Sequence, residues 1–330
     1  MKKLHIKRAL VLLVVLPALA IIGAFTAFWL LWAGPGPFDE PKTIVIAQGS
    51  SVAKVATQLE EAGLVRGGAT SFRGFARIFG AHAPVQAGEF ELRPGMSAWA
   101  ILTHLQYGRP IQRQVTIPEG TPSVLVHERL MRVPHLTGAI EVPLEGSVLP
   151  DTYSYRRGES RAAVLRRMQA AMRTELARLW AERSPTTIVQ SPQAAIILAS
   201  IVEKETGKPS ERRMVAGVYS NRLRRNMPLQ ADPTVIYPVT RGRPLGRPIL
   251  RSELNANNGY NTYRLPGLPI GPIANPGRAS IAAVLNPQPT SALYFVADGT
   301  SGHVFADTLP QHNANVVRWR AIRRAREERR

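Results

Sequence analysis

Apolar residues fall into three regimes along the chain. The first runs from Ala9 to Ala33, twenty-five residues without a charged side chain. At about 1.5 Å of rise per residue, a helix of that length exceeds the roughly 30 Å hydrocarbon core of a bilayer and can span it with some tilt. Gly34-Pro35-Gly36-Pro37 then breaks the helix and predicts a short linker over residues 34–41. In the second regime a short alternating run leads into a Gly turn and then into helical spacing, three times over. Thr43 to Ala47 precedes Gly49-Ser50-Ser51 and the set Val52, Val55, Ala56, Leu59. Phe90 to Arg93 precedes Gly95-Met96-Ser97 and Trp99, Ile101, Leu102, Leu105, and Val115 to Ile117 precedes Gly120-Thr121 and Val124, Val126, Leu130. Each unit predicts strand, turn, Ser or Thr cap, and helix. The first two, with a helix near Phe72 to Phe79 between them, predict a small α+β module over 42–110.

The third regime, residues 111–317, predicts a larger α/β domain. Arg161 to Ala181 is an amphipathic helix with Val164, Met168, Met172 and Leu176 on one side. Ser191-Pro192 is a helix start, Gly207 a helix stop, and Ala194 to Val202 between them is apolar on nearly every side, which places that helix in the protein centre. Met227 to Pro289 is rich in Pro, Gly and Asn yet carries many aromatic residues, as ordered site-building loops do. Ala292 to Ala297 predicts a short buried strand. The expected fold class is therefore α+β: a single N-terminal transmembrane helix (9–33), a small module, a larger α/β domain, and a basic tail over 318–330.

Charge decides which side of a membrane the body occupies. Lys2, Lys3, Lys7 and Arg8 precede the apolar run, and Asp39 and Glu40 follow it, so residues 1–8 are expected in the cytoplasm and the rest outside it. Trp29 and Trp32 fall where an interfacial aromatic belt would sit. A cleaved signal peptide ending near Ala18-Leu19-Ala20 competes, although apolar sequence continues to Trp32; both readings export the body. The net charge of +19 invites a nucleic-acid partner, but an extracytoplasmic location favours anionic polymers and lipid headgroups instead. The absence of cysteine suits an oxidising compartment and removes thiolate metal sites and cysteine nucleophiles. The run from Arg318 to Arg330 reads as a solvated helix end or frayed terminus.

The chemistry concentrates around one carboxylate. Glu203 lies in the last turn of the central helix, and desolvation together with the negative end of the helix dipole would favour its neutral form, a proton donor near pH 7. Glu205 points the opposite way and is expected, with Lys204, in solvent or paired with Arg212 and Arg213. Asp232 precedes Pro233 and is expected in an extended or turn segment crossing the end of that helix. Asn221, Gln230 and Thr234 supply the hydrogen-bonding groups a sugar needs, and Tyr237, Tyr260 and Tyr263 supply ring faces. Each alone also fits a plain structural role: a capping carboxylate, an Asp-Pro turn, core tyrosines. His303 and His312 have no acidic ligand cluster beside them, phosphate-binding Gly motifs are absent, and Ser200 has no base near it in sequence, so no metal, cofactor or serine nucleophile is expected.

The ordered motifs Leu198 to Thr206, Val218 to Leu223, Leu229 to Tyr237, Tyr260-Asn261-Thr262-Tyr263, Gly267 to Ile273 and Leu293 to Ala297 together resemble the endolytic murein transglycosylases, the MltG or YceG-like family. Leu144 to Tyr153 is similar to a further segment of that family, with Ser147-Val148 in place of Tyr-Leu; Ile270 and Pro238 are other departures. The resemblance implies cleavage of peptidoglycan glycan strands between N-acetylmuramic acid and N-acetylglucosamine, leaving 1,6-anhydro ends. It implies Glu203 as catalytic acid and base, Asn261 among the supporting residues, and synthases as neighbours. The Gly-x-Ser turn of the small module resembles a LysM module, which implies binding of N-acetylglucosamine polymers; a spacer without ligand fits the same pattern. A non-catalytic peptidoglycan-binding scaffold is the alternative function.

Overall fold

The computed structural model describes residues 2–80 and 83–328. The chain divides into two compact units, residues 1–113 with 155–158, and residues 114–154 with 159–330.

The first unit opens with helix α1 (Lys2–Phe28), continued by a π-helical turn over Trp29–Ala33. Leu13–Ala33 is long and apolar enough to cross a membrane, at a mean hydropathy of 2.3. Strand β1 (Lys42–Ile46), helices α2 (Val52–Glu61) and α3 (Gly68–Phe79), strand β2 (Gly88–Leu92) and helix α4 (Ala98–Tyr107) follow. β1 and β2 pair antiparallel with Ile44 opposite Phe90. Ser51 and Ser97 accept hydrogen bonds from Lys54 N and Ala100 N, the caps that the Gly-x-Ser turns predict. Trp32 does not stand in an aromatic belt. It is 2% exposed, packed edge-on against Phe72 and stacked on Phe75, because the apolar run continues into the module's own core. Residues 34–41 are tied in as well: Gly36 N donates to Gly95 O, Gly95 N donates to Phe38 O, and Phe38 is buried.

The second unit contains most of β3 (Arg113–Thr116), α5 (Ser123–Arg132), most of β4 (Thr152–Tyr155), α6 (Arg161–Ala181) and α7 (Pro192–Glu205). A short 3₁₀ turn (Pro209–Glu211), α8 (Arg212–Arg224), α9 (Asp232–Thr240), α10 (Arg251–Leu254), α11 (Arg278–Leu285), strands β5 (Tyr294–Ala297) and β6 (His303–Ala306), and α12 (Leu309–Glu327) complete it. α7 is the centre. Ala195 to Val202 are buried without interruption, and α6, α8, α9 and α11 pack around them. Ser191 caps its start by accepting from Ala194 N, with Pro192 in the first turn.

Several expectations give way here. The large unit is chiefly helical, its strands confined to short two-stranded pairs, so alternating α/β does not describe it. β5 is half-buried, a hairpin partner of β6. α7 ends at Glu205 through an extended Thr206, one residue before Gly207, whose backbone takes no left-handed conformation. Thr121 caps nothing and donates instead to Pro118 O; the amide of Ser123 is satisfied by the Glu145 carboxylate. The basic run from Arg318 agrees with the expected solvated helix end: it is the exposed last part of α12, which runs as far as Glu327.

Since Leu198 is wholly buried among α7's neighbours, Leu198→Ala should destabilise the second unit by about 2–5 kcal/mol, a loss that calorimetry of the detergent-solubilised chain would register as a lowered melting transition.

Candidate active site

A helix buried along its whole middle can offer a carboxylate to solvent only at its ends, and α7 does so at its C-terminus. Glu203 and Glu205 are two residues apart, about 200° around the helix axis, so they face different surroundings.

The Glu203 side chain is only 5% exposed. Its Oε1 accepts from Arg212 Nη2 at 3.3 Å and its Oε2 from the backbone N–H of Gly277 at 2.8 Å. The same Arg212 Nη2 donates to Glu119 Oε2 at 3.0 Å, so one guanidinium serves two carboxylates. Gly120, at φ +70°, lies so close over Glu203 that an added Cβ would stand 3.2 Å from its Cγ. The expected dry, unpartnered carboxyl is thus corrected: Glu203 is enclosed but ion-paired, and the Arg212 expected beside Glu205 is its partner.

The dry environment belongs to Glu205. It accepts a hydrogen bond from the hydroxyl of Tyr219, itself 2% exposed. Burial, with a contribution from the nearby Asp232 charge, raises its pKa to about 7 against the opposing Tyr219 hydrogen bond and the Arg222 charge. The sequence gives no hint of this, since a Glu at the end of an apolar helix is equally compatible with solvent.

The loop that brings Gly277 to Glu203 is held by two buried side chains. Ser200 donates to Ile197 O at 2.8 Å and accepts from Ile273 N at 3.0 Å, pinning the loop to α7. Asn275 accepts from Val148 N at 2.9 Å and donates to Thr121 O, Ser123 Oγ and Glu145 Oε1. Three loops therefore meet on one carboxamide. Glu145 also accepts from the Tyr237 hydroxyl at 3.1 Å, and burial raises its pKa. Gly146, at φ +75°, packs so tightly on Ile196 and Pro272 that a side chain has no room.

A cavity of about 470 Å³ opens beside this arrangement. Glu119, Gly120, Lys204, Pro233, Ile236, Tyr237 and Ile273 are among its walls, so the immediate neighbours of Glu203 in chain and space line it. Tyr237 and Tyr260 stand 4.9 Å apart at 50° near that wall. Asp232 does not lie in an extended segment: it is the first residue of α9, Pro233 occupying the first turn, where a fixed φ favours a helix start. Its carboxylate is exposed and accepts from the Tyr263 hydroxyl at 2.6 Å. Gln230, exposed, adopts φ +53° and is held by its N–H to Thr262 O and by Arg222 donating to its Oε1.

Asn221, Thr234 and Asn261 direct their polar groups inward. Asn221 Nδ2 donates to Thr290 O and Ala292 O; Thr234 donates to Ala231 O and meets Thr262 Oγ1 at 2.8 Å. Asn261 Nδ2 reaches the carbonyls of Glu253, Leu254 and Ala256. They brace backbone segments and a buried hydroxyl, and none of the three lines the cavity. Arg222 has the same office, joining Leu293 O to the carbonyls of Pro228 and Leu229. His303 is paired with Glu211 at 2.7 Å.

The sequence profile of the YceG-like family matches residues 44–318. The chain belongs to the YceG-like family. An endolytic murein transglycosylase of Streptococcus pneumoniae serotype 2 (strain D39) is 28% identical over 95% of this chain and 65% of its own. One from Bacillus subtilis (strain 168) is 29% identical over 82% of each. A crystal structure of a YceG-like protein from Listeria monocytogenes superposes with a TM-score of 0.50 at 28% identity, covering 84% of this chain and 99% of that one. The present YceG-like chain spans just under two thirds of the length of its Streptococcus relatives.

Two outcomes follow from the helix end. Removing the Ser200 hydroxyl leaves the Ile273 amide buried without an acceptor, so Ser200→Ala should cost about 1–3 kcal/mol in chemical denaturation. For Glu205, the unfolded chain ionises near 4.5 while the folded protein keeps the proton until about 7. The unfolded state therefore binds fewer protons between those values, and stability falls as pH rises through that window, then levels. Compared with Glu205→Gln, the natural chain should lose on the order of 3 kcal/mol from pH 4.5 to 7 in paired denaturation curves.

Proposed function

We propose that this chain is a membrane-anchored endolytic lytic transglycosylase. It would cleave bonds between N-acetylmuramic acid and N-acetylglucosamine within nascent peptidoglycan strands and leave 1,6-anhydro ends. The observation that carries the proposal is the carboxylate of Glu203, presented from the end of the buried helix beside the cavity in a member of the YceG-like family. Relatives at 28–29% identity bear the name endolytic murein transglycosylase, which supports the same substrate here.

In its acid form Glu203 protonates the glycosidic oxygen as the bond to C1 of the muramyl sugar breaks. The resulting carboxylate then takes the proton of that sugar's C6 hydroxyl, whose oxygen attacks C1 and closes the anhydro ring. The proton given in the first step returns in the second, and no water enters. One carboxylate suffices, where a hydrolase generally employs a pair at a set separation. Glu119 gives Arg212 an alternative partner while Glu203 is neutral, and the Gly277 N–H holds the carboxylate in place once it is charged. Tyr237 and Tyr260 offer ring faces to the sugars. Asp232, bonded to Tyr263, and Gln230 present exposed polar groups that would orient the strand.

Anchoring rests on Leu13–Ala33, and the basic residues before it orient the N-terminus toward the cytoplasm with the two units outside, away from nucleic acid. Synthases that extend the glycan are the expected neighbours of an enzyme confined to that surface. The order strand, helix, helix, strand in the first unit supports a LysM-like reading, with glycan binding as its role.

Glu203→Gln should lower the yield of anhydro-ended fragments from purified glycan by about 10²–10⁴-fold, the usual worth of acid–base catalysis. Mass spectrometry of the digest reads this directly. Equal yields from both proteins would remove Glu203 from the chemistry, and no product from either would favour a wall-binding scaffold.

A further inference from the structure

The apolar helix does not end where the first unit begins. Phe28 lies within the Leu13–Ala33 span, and its ring meets Phe79 at 5.1 Å and Phe75 at 6.0 Å, both on α3. Leu31 reaches the start of α3, where its Cδ2 lies 2.7 Å from a Cβ built on Gly67. Five residues separate Phe28 from the end of the span, about 8 Å along a helix. If the apolar helix crosses a bilayer whose hydrocarbon takes up about 20 residues after Arg8, Phe28 stands at its outer boundary. The C-terminal end of α3 then stands at that depth too.

What α3 carries there suits the depth. Ile78 is 71% exposed and Phe79 52%, adjacent apolar side chains at the very end that touches the span. Arg73 and Arg77, one turn apart on the same helix, are exposed and form no ion pair among the described residues. They border a pocket of about 330 Å³ whose other walls include Val52, Ala53, Ala76 and Leu102 from α2, α3 and α4. Apolar residues at the acyl boundary with arginines toward the phosphates are the arrangement of an interfacial helix. Scattered exposed apolar residues need no explanation, but these two are continuous with a membrane-crossing element.

We infer that the C-terminal end of α3 is a membrane-interface element, Ile78 and Phe79 entering the headgroup–acyl boundary and Arg73 and Arg77 binding the phosphates of anionic phospholipids, one headgroup seated in the α2–α3–α4 pocket. The inference rests on the helix spanning the bilayer, and it fixes the first unit against the lipid surface.

The cysteine-free chain makes the test direct. Full-length protein carrying Ile78→Cys, or Ile21→Cys within the span, is labelled with an environment-sensitive fluorophore and reconstituted into vesicles with or without phosphatidylglycerol. Spin-labelled lipids quench from known depths. The label at 21 should be quenched from deep in the acyl chains, and the label at 78 from the headgroup level, more strongly with phosphatidylglycerol present. Arg73→Glu with Arg77→Glu should weaken that lipid dependence by about fivefold per arginine without changing the melting temperature, since both side chains are exposed. A label at 78 that stays in water while the label at 21 is buried overturns the inference alone; both in water overturns the spanning helix. Loss of the lipid signal on adding soluble glycan strands would assign this face to the glycan instead.

Discussion

Eight consecutive buried residues in α7 leave that helix no lateral surface for chemistry, and this one constraint organises the second unit. A helix so enclosed has its last carbonyls without intrahelical partners, and a charge placed there must be met by donors brought from elsewhere in the chain. The Ser200 hydroxyl, inside the helix, receives the amide of Ile273 and so fixes a loop alongside the helix axis. Four residues later the same loop delivers the Gly277 amide to Glu203. The position of the carboxylate and the position of its donor are thus set by the same helix, and neither depends on a mobile surface segment.

Asn275 extends that rigidity to the rest of the cleft. A buried carboxamide is costly unless satisfied, and this one is satisfied by joining its own loop to two others, one around Thr121 and one running from Glu145 to Val148. Each of those loops reaches the neighbourhood of Glu203 or of Tyr237. Displacing one would strand donors in the other two, so the walls of the cavity behave as a unit. Glycine at 146 is required for the same reason, because Ile196 and Pro272 occupy the space a side chain would need. At 120 the positive φ disfavours any side chain, and a Cβ would press on Glu203 Cγ at 3.2 Å.

Elements governed by local rules were legible in the sequence. The bounds of α6 and the start of α7 follow from period, cap and proline alone, and so do the Ser caps of α2 and α4. What could not be read was which long-range group met each carboxylate. Helical geometry says that Glu203 and Glu205 diverge, but it does not say that α8 brings Arg212 to the first and Tyr219 to the second. Asp232 opens a helix although a pre-proline residue is biased against one, because proline's suitability for a first turn outweighs that bias. The burial of Trp32 is not legible either, because an apolar run gives the same signal whether its last turn meets lipid or protein. Glu119, Ser200 and Asn275 lacked any local signal, since their importance lies wholly in residues distant in sequence.

The two carboxyls of α7 divide an electrostatic problem between them. The C-terminal end of a helix carries partial negative charge, and two full negative charges two residues apart would add to it. Among the described residues Arg212 is the guanidinium that bonds to a carboxyl of this helix end, and it is already shared with Glu119; the Arg222 charge acts on Glu205 without a bond to it. Keeping Glu205 under Tyr219, where burial favours its protonated form up to about pH 7, removes the second charge without requiring a second cation. A neutral Glu205 therefore leaves the field at Glu203 under the control of Arg212 and the Gly277 amide, two donors whose positions are fixed by α8 and by the loop that Ser200 holds. Lengthening or shortening α7 by a single residue would rotate both carboxyls by about 100° and exchange neither pair of partners cleanly, which ties the helix end to its place in the fold.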